Sequence, residues 1–393
     1  MARLDDRLEP LLEEARRSGG FRALKPVRPD GAARVWRGGR RLIDFSSNNY
    51  LGLARHPALI ERANQWTEKW GAGSGASRLV TGAFEIHQAV EDKLARMKGA
   101  EAVLIFNSGF QANSSILPVL LDRKLLGGEA LAFSDRLVHA SIHHGLQGAG
   151  VRQIRYRHND LDHLETLLKK NGGKPGTLFI LTESVFSMDG DQADLEALAA
   201  LAERYGAFLY VDEAHAIGVT GQHGMGLAAA AEGVDLVMGA FGKALGCFGA
   251  YAACSKPMKD YLINRCPGFI YSTSLPPGVL GAMDAALDLV PGMDAERGRL
   301  RANAARLRAA LAASGIDSAG STTQIVPAVF GGQEATLEAA RLLEDEGLLG
   351  VAIRPPTVPK GGGRIRFAVT AVHTDEHMDL LCGAIPRIAG LRP

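Results

Sequence analysis

The stretch D-L-E-A-L-A-A-L-A-E-R-Y-G-A-F-L-Y-V-D-E-A-H (194–215) decides how this chain is built. Its first half sets leucine and alanine at helical spacing, and Gly206 supplies the helix stop. The short apolar run A-F-L-Y-V (207–211) follows and reads as a buried strand. It ends abruptly in charge, at Asp212, Glu213 and His215. A helix, a buried strand and then polar chemistry at the strand's carboxyl end form one unit of an α/β sheet.

The same pattern recurs in both directions along the chain. Apolar runs A-V-L-I-F (102–106), A-L-A-F (130–133), T-L-F-I-L-T (177–182), D-L-V-M (235–238) and G-A-Y-A-A (249–253) read as strands. Helical spacing of Ile86, Val90, Leu94 and Met97, and the segment 161–170, supply helices around them. Alternating strands and helices predict an α/β fold with a mainly parallel sheet covered by helices on both faces. Ligands of such sheets bind outside the carboxyl ends of the strands. Near residue 290, P-G-M-D breaks the pattern, and T-Q-I-V-P-A-V-F (323–330) and R-I-R-F-A-V-T (364–370) become strands of a smaller α+β C-terminal domain. The expected division is an N-terminal segment (1–50) packing with the small domain, a large domain (51–290) and a small C-terminal domain (291–393). A chain of 393 residues accommodates one large and one smaller core.

Composition narrows the function classes. Hydrophobic residues make up 46% and charged residues 22%, as in a globular protein with a sizeable core. Lys plus Arg (44) balance Asp plus Glu (43), so neither a nucleic acid nor an acidic membrane surface is indicated as partner. The N-terminal segment is amphipathic and charged rather than a secretory signal, and no run is long enough to span a membrane, so a cytoplasmic location is expected. Cys247, Cys254, Cys266 and Cys382 form no C-x-x-C pair and read as reduced packing thiols; Cys247, four residues past Lys243, is the one candidate reactive thiol.

Three strand ends carry the chemistry: Asp212 to His215, E-S-V-F-S-M-D-G-D (183–191), and M-G-A-F-G-K-A-L-G (238–246), in which Lys243 stands among small and apolar residues. Asp212 and Lys243 are about one strand-helix-strand unit apart, which puts both at the same edge of neighbouring strands. They make either a buried ion pair or the two halves of a ligand site. Pyridoxal phosphate (PLP) wants both groups, since its aldehyde forms a Schiff base with a lysine and its ring nitrogen stays protonated against a carboxylate. In F-N-S-G-F-Q-A-N (106–113) a strand passes into a helix at Gly109 and Phe110, where amides favour a phosphate. His139 suits stacking on a flat cofactor. Together with His143 and His144 it also suggests a metal, but no other cluster supplies the remaining zinc ligands. The D-E-A-H tetrad invites a helicase reading, which fails because the chain has no G-K-S or G-K-T.

Taken together these motifs resemble the α-oxoamine synthases, PLP enzymes of the aspartate aminotransferase-like fold (fold type I). The resemblance runs in order through S-S-N-N-Y-L-G-L, G-S-G-A-S-R-L-V-T-G, N-S-G-F-Q-A-N, F-S-D-R-L-V-H-A-S, E-S-V-F-S-M-D-G-D, V-D-E-A-H-A-I-G-V-T-G, F-G-K-A-L-G and Y-S-T-S-L-P-P. I-R-P-P-T-V-P (353–359) and R-I-R-F-A-V-T-A-V-H (364–373) are most similar to the members that condense L-alanine with a pimeloyl thioester, carried on coenzyme A or an acyl carrier protein. Relatives that make 2-amino-3-ketobutyrate, 5-aminolevulinate or sphingoid bases are the alternative, as is a cofactor-binding homologue without turnover.

The resemblance implies that Lys243 carries the cofactor and moves the substrate α-proton, Asp212 pairs with the ring nitrogen, and His139 stacks on the ring. His215 and Ser187 would bond near the ring hydroxyl. Gly109 and Phe110 match the phosphate turn, and Thr273 would reach the phosphate of the neighbouring subunit, so the active sites would be shared in a homodimer. Arg354 would hold the amino-acid carboxylate, with Thr357, Arg22, Asn48 and Ser77 also touching substrate. One position departs from the pattern: Ala240 stands where the family commonly has a phosphate-binding hydroxyl.

Overall fold

The structure is a computed structural model that describes residues 4–171 and 176–391. The chain divides into two units, one comprising Asn48–Ser187 and Asp191–Arg299, the other Met1–Ser47, Met188–Gly190 and Leu300–Pro393.

The larger unit is organised by a seven-stranded sheet. Its strands are β1 (Ala102–Phe106), β2 (Ala130–Asp135), β3 (Arg152–Tyr156), β4 (Thr177–Glu183), β5 (Ala207–Asp212), β6 (Leu236–Ala240) and β7 (Ala250–Cys254). They lie in the order β1-β7-β6-β5-β4-β2-β3. Only β7 runs against the others, pairing antiparallel with both β1 and β6. Every residue of β1, β2, β6 and β7 is buried, as continuous apolar runs demand when helices cover both faces. The mainly parallel, helix-covered sheet expected from the sequence is therefore present.

One strand escaped the sequence reading. R-Q-I-R-Y of β3 forms the sheet edge and exposes Arg152 and Arg155, so its polar residues hide the apolar signal. Charged edge residues of this kind also discourage pairing with a further chain.

Helix α1 (Gly109–Leu120) leaves the end of β1, and α2 (Ala140–Ala149) packs against it. Ala112, Ile116 and Leu117 of α1 and Ile142 and Leu146 of α2 join Phe106, Tyr210 and Met238 of the sheet in one core cluster. The two helices approach closely because α2 carries Gly145 at the crossing. A Cβ there would stand 2.6 Å from the Asn113 carbonyl oxygen and 2.9 Å from the Leu117 side chain. Helix α3 (Leu195–Tyr205) begins at Asp194, which caps the Ala197 amide, and ends at Gly206 with φ 60°.

The connection from β6 to the reversed strand β7 is a tight nine-residue loop, 241–249, that carries Lys243. The Gly246 amide donates to the Lys243 carbonyl and the Cys247 amide to that of Phe241. Gly249, at φ 102°, brings the chain back so that Ala250 sits opposite Ala240.

The smaller unit holds a three-stranded antiparallel sheet of 325–331, 363–368 and 352–353, with Pro327 on an edge strand where its missing N–H is tolerated. A second sheet joins strands 28–30, 34–37 and 40–44 to the short strand 348–349, so N-terminal and C-terminal segments share one unit. The first helix, Leu4–Arg17, buries none of its residues. Among the described residues no helix is long and apolar enough to cross a membrane.

Candidate active site

Two carboxylates lie side by side where β4 and β5 end. Glu183 and Asp212 are register partners, and both are buried. Asp212 is held from two directions: Asn113 Nδ2 of α1 donates to Oδ2 at 2.9 Å and the Ala214 amide donates to Oδ1 at 2.9 Å. Asn113 is itself saturated, giving its other amide hydrogen to Ser141 Oγ at 2.8 Å and accepting from Tyr210 Oη at 2.6 Å. An acceptor-only pattern on both oxygens is that of a carboxylate.

A second chain of hydrogen bonds leads from Lys243. Its Nζ lies 2.7 Å from His215 Nε2, and His215 Nδ1 lies 2.8 Å from Tyr50 Oη. Tyr50 donates its hydroxyl hydrogen to Asn48 Oδ1 at 3.0 Å. The imidazole proton therefore belongs on Nδ1, leaving Nε2 to accept from the lysine amine. Asn48, Tyr50, His215 and Lys243 form one directed relay.

His139 ends the loop before α2 and caps it, Nδ1 accepting from the Ser141 amide at 3.3 Å and from Ser141 Oγ at 2.7 Å. Burial holds the ring below the usual imidazole range; Asp212 opposes that shift and Lys243 reinforces it. His139 is thus a neutral ring whose Nε2 carries the hydrogen. Glu183 is displaced the other way. Burial raises its carboxyl well above the ordinary range and Asp212 adds to the effect, against an opposing pull from Lys243.

These groups meet on one cavity of about 290 Å³, walled by Lys243, Asp212, His215, His139 and Glu183 together with Ser108, Gly109 and Phe110 at the start of α1. Ser108 caps α1 through Gln111, so the first-turn amides of this 12-residue helix face an anion-favouring end. Ala240 also lines the cavity, so the missing hydroxyl is missing from its wall. An amine, a carboxylate and a helix N-terminus around a glycine-lined cleft fit the aldehyde, ring nitrogen and phosphate of PLP. Three walls are glycines (Gly109, Gly242 and Gly249), which leaves room for a flat ring.

The other expected site residues fall elsewhere. Ser187 is buried and is not among the residues lining the cavity, its amide donating to Glu183 Oε2 at 3.2 Å. Ser77 and Thr273 pair with each other in an isolated antiparallel bridge, and neither lines the cavity. Arg22, Arg354 and Thr357 belong to the smaller unit, where they share a groove of about 1080 Å³. There Arg22 donates to Thr357 Oγ1 at 3.1 Å and Arg354 to the Gly19 carbonyl. The thiol of Cys247 bonds the Leu245 carbonyl and is pushed up to about 12 by burial, so it is no nucleophile.

Sequence reasoning missed Tyr50, Asn113, Ser141 and Glu183. Glu183 carried a readable signal, a charge directly following a buried apolar run, as at Asp212. The other three are polar residues that each bond at least one distant partner, Tyr50 to His215, Asn113 to Asp212 and Tyr210, and Ser141 to Asn113, and no spacing announces them.

Comparison with known proteins agrees with this geometry. Residues 40–385 match the model of the class I and II aminotransferase family. A putative 8-amino-7-oxononanoate synthase of Magnetococcus marinus is 58% identical over 94% of each chain. The 8-amino-7-oxononanoate synthase of Gluconacetobacter diazotrophicus is 56% identical, covering 98% of this chain and 97% of its own. Among solved structures, a serine palmitoyltransferase from Sphingomonas wittichii superposes with a TM-score of 0.91 at 27% identity over the whole of both chains. The chain belongs to the class I and II aminotransferase family and, within it, to the α-oxoamine synthases.

Proposed function

We propose that this chain catalyses the PLP-dependent decarboxylative condensation of L-alanine with a pimeloyl thioester, releasing carbon dioxide and the free thiol and giving 8-amino-7-oxononanoate for biotin synthesis. The observation that carries the reading is the convergence of Lys243 and Asp212 on one cavity with the start of α1. The names of relatives at 56–58% identity favour alanine and the pimeloyl group over the glycine and serine alternatives.

When bound, the cofactor supplies a carbonyl for amines and a protonated ring that accepts the electron pair left at the amino acid's α-carbon. Asp212 holds the proton on the ring nitrogen, and its bonds from Asn113 and Ala214 keep it oriented for that task. Lys243 Nζ takes the α-proton of alanine, and His215 Nε2 is its hydrogen-bond partner, fixed by Tyr50 and Asn48. His139 would cover the ring as a neutral imidazole. The first-turn amides of α1, at Gly109 and Phe110, would hold the phosphate, and Ser187 would serve the ring hydroxyl. Arg354 would receive the substrate carboxylate as a bidentate donor, with Thr357, Arg22 and Ser77 as the further substrate contacts. Thr273 serves the partner's phosphate in a homodimer, and the enzyme works in the cytoplasm.

The test is release of labelled carbon dioxide from carboxyl-labelled L-alanine by purified protein. Release should require pimeloyl-CoA or pimeloyl-acyl carrier protein. Turnover of glycine with acetyl-CoA or serine with palmitoyl-CoA, and none of alanine, would replace this substrate assignment with another.

A further inference from the structure

Among the described residues, Glu183 is the ionisable group lining the cavity that has no assigned task. Its side chain is almost wholly buried, at 1% exposure, and it lines the cavity. Oε2 accepts the Ser187 amide at 3.2 Å, whereas Oε1 is buried and, among the described residues, has no hydrogen-bond partner. Its register partner, Asp212, accepts an N–H bond on each oxygen. Two adjacent buried carboxyls do not both ionise readily, and the proton goes to the one with fewer donors. That one is Glu183. Asp212 from β5 adds to the effect of burial, while Lys243 from the loop and the backbone amides of Ser187 and His139 oppose it; the His139 imidazole lines the same cavity. Lys243 has His215 as its 2.7 Å partner.

We infer that Glu183 stands in the cavity as a neutral carboxylic acid and donates Oε1–H to an anionic oxygen of the bound ligand, either the ring oxygen of the cofactor or the carboxylate of the amino acid. An ionised Glu183 would have only lone pairs to offer there and would repel either acceptor. A neutral acid satisfies its own orphaned oxygen and the ligand's oxygen in one bond. The inference rests on the proposed PLP chemistry of this cavity.

The test compares wild type with Glu183→Gln, which keeps a neutral donor of similar shape, and Glu183→Leu, which keeps only bulk. Two affinities are read: PLP for the apo-protein by fluorescence quenching, and L-alanine for the loaded protein by its spectral shift. Infrared difference spectra of wild type against Glu183→Gln read the protonation state directly at neutral pH. The expected result is a protonated-carboxyl carbonyl band present only in wild type, Glu183→Gln within about threefold of wild type in both affinities, and Glu183→Leu weaker by about tenfold or more in one. A loss in PLP affinity assigns the ring oxygen, and a loss in alanine affinity assigns the carboxylate. Absence of the band, or a Glu183→Gln defect as large as that of Glu183→Leu, overturns the inference while PLP binding stands. Failure of wild type to bind PLP overturns both readings. The wild-type infrared measurement decides the matter even if the leucine variant misfolds.

Discussion

The relay Asn48–Tyr50–His215–Lys243 puts a phenol two bonds away from the reacting amine. Tyr50→Phe removes the hydroxyl that accepts the His215 Nδ1 hydrogen, at a stability cost of about 1–3 kcal/mol. Turnover should fall roughly tenfold or more and the melting temperature by a few degrees; unaltered turnover would show that His215 needs no such fixing. Ala240 permits the opposite kind of test. Its place on the cavity wall means that Ala240→Thr offers a hydroxyl to the phosphate, a charge-assisted bond worth about 1.5–3 kcal/mol. PLP titration of the apo-protein should show a dissociation constant lower by roughly tenfold or more, and an unchanged constant would place the anion away from Ala240. Lys243 and Asp212 were readable because an isolated charge after a buried run is conspicuous. Tyr50 and Asn113 were not, since Asn113 acquires meaning only when folding brings Asp212 and Tyr210 to it across about a hundred residues.

At the level of elements, the site depends on how closely α2 approaches α1. Gly145→Ala would drive a methyl against the Asn113 carbonyl and Leu117, separating the helices or shifting Asn113. Overpacking of this sort costs about 1–3 kcal/mol, so thermal unfolding should move to lower temperature and PLP affinity should drop with it. A stable variant with full affinity would contradict the proposed support of Asp212 by α1. The loop after β3 makes a pH-dependent contribution. His158 bridges Asp135 at 3.0 Å and Asp191 at 2.8 Å. Burial works against its charge, but the hydrogen bonds and attraction of the two carboxylates outweigh it and push the imidazole up to about 10. Because the folded value is raised, the stabilisation is complete below the ordinary imidazole value and is lost as pH rises towards about 10. The melting temperature of wild type should therefore fall across that window, and in His158→Gln the fall should be smaller. Equal slopes in the two proteins would rule out His158 as the source. The strands of the large sheet show what sequence can reveal: β1 and most of β5 are continuous apolar runs, whereas three of the five residues of β3 are arginine or glutamine because one side of it meets solvent.

For the whole molecule, the alternation of helices and strands led to the mainly parallel sheet, and the sheet's carboxyl ends led to the cavity. What the alternation did not contain was the reversal at β7; it follows from the nine-residue connection, which is too short for the crossover that a parallel neighbour needs. That reversal is what sets Lys243 in a hairpin loop beside Asp212's strand rather than on a crossover helix. The central claim is that this lysine bears the cofactor. Borohydride reduction of the PLP-loaded protein, followed by mass mapping of its peptides, tests it most directly. The account predicts a single pyridoxyl group on Lys243, lost in Lys243→Ala; an adduct on a different lysine, or none at all, would contradict it.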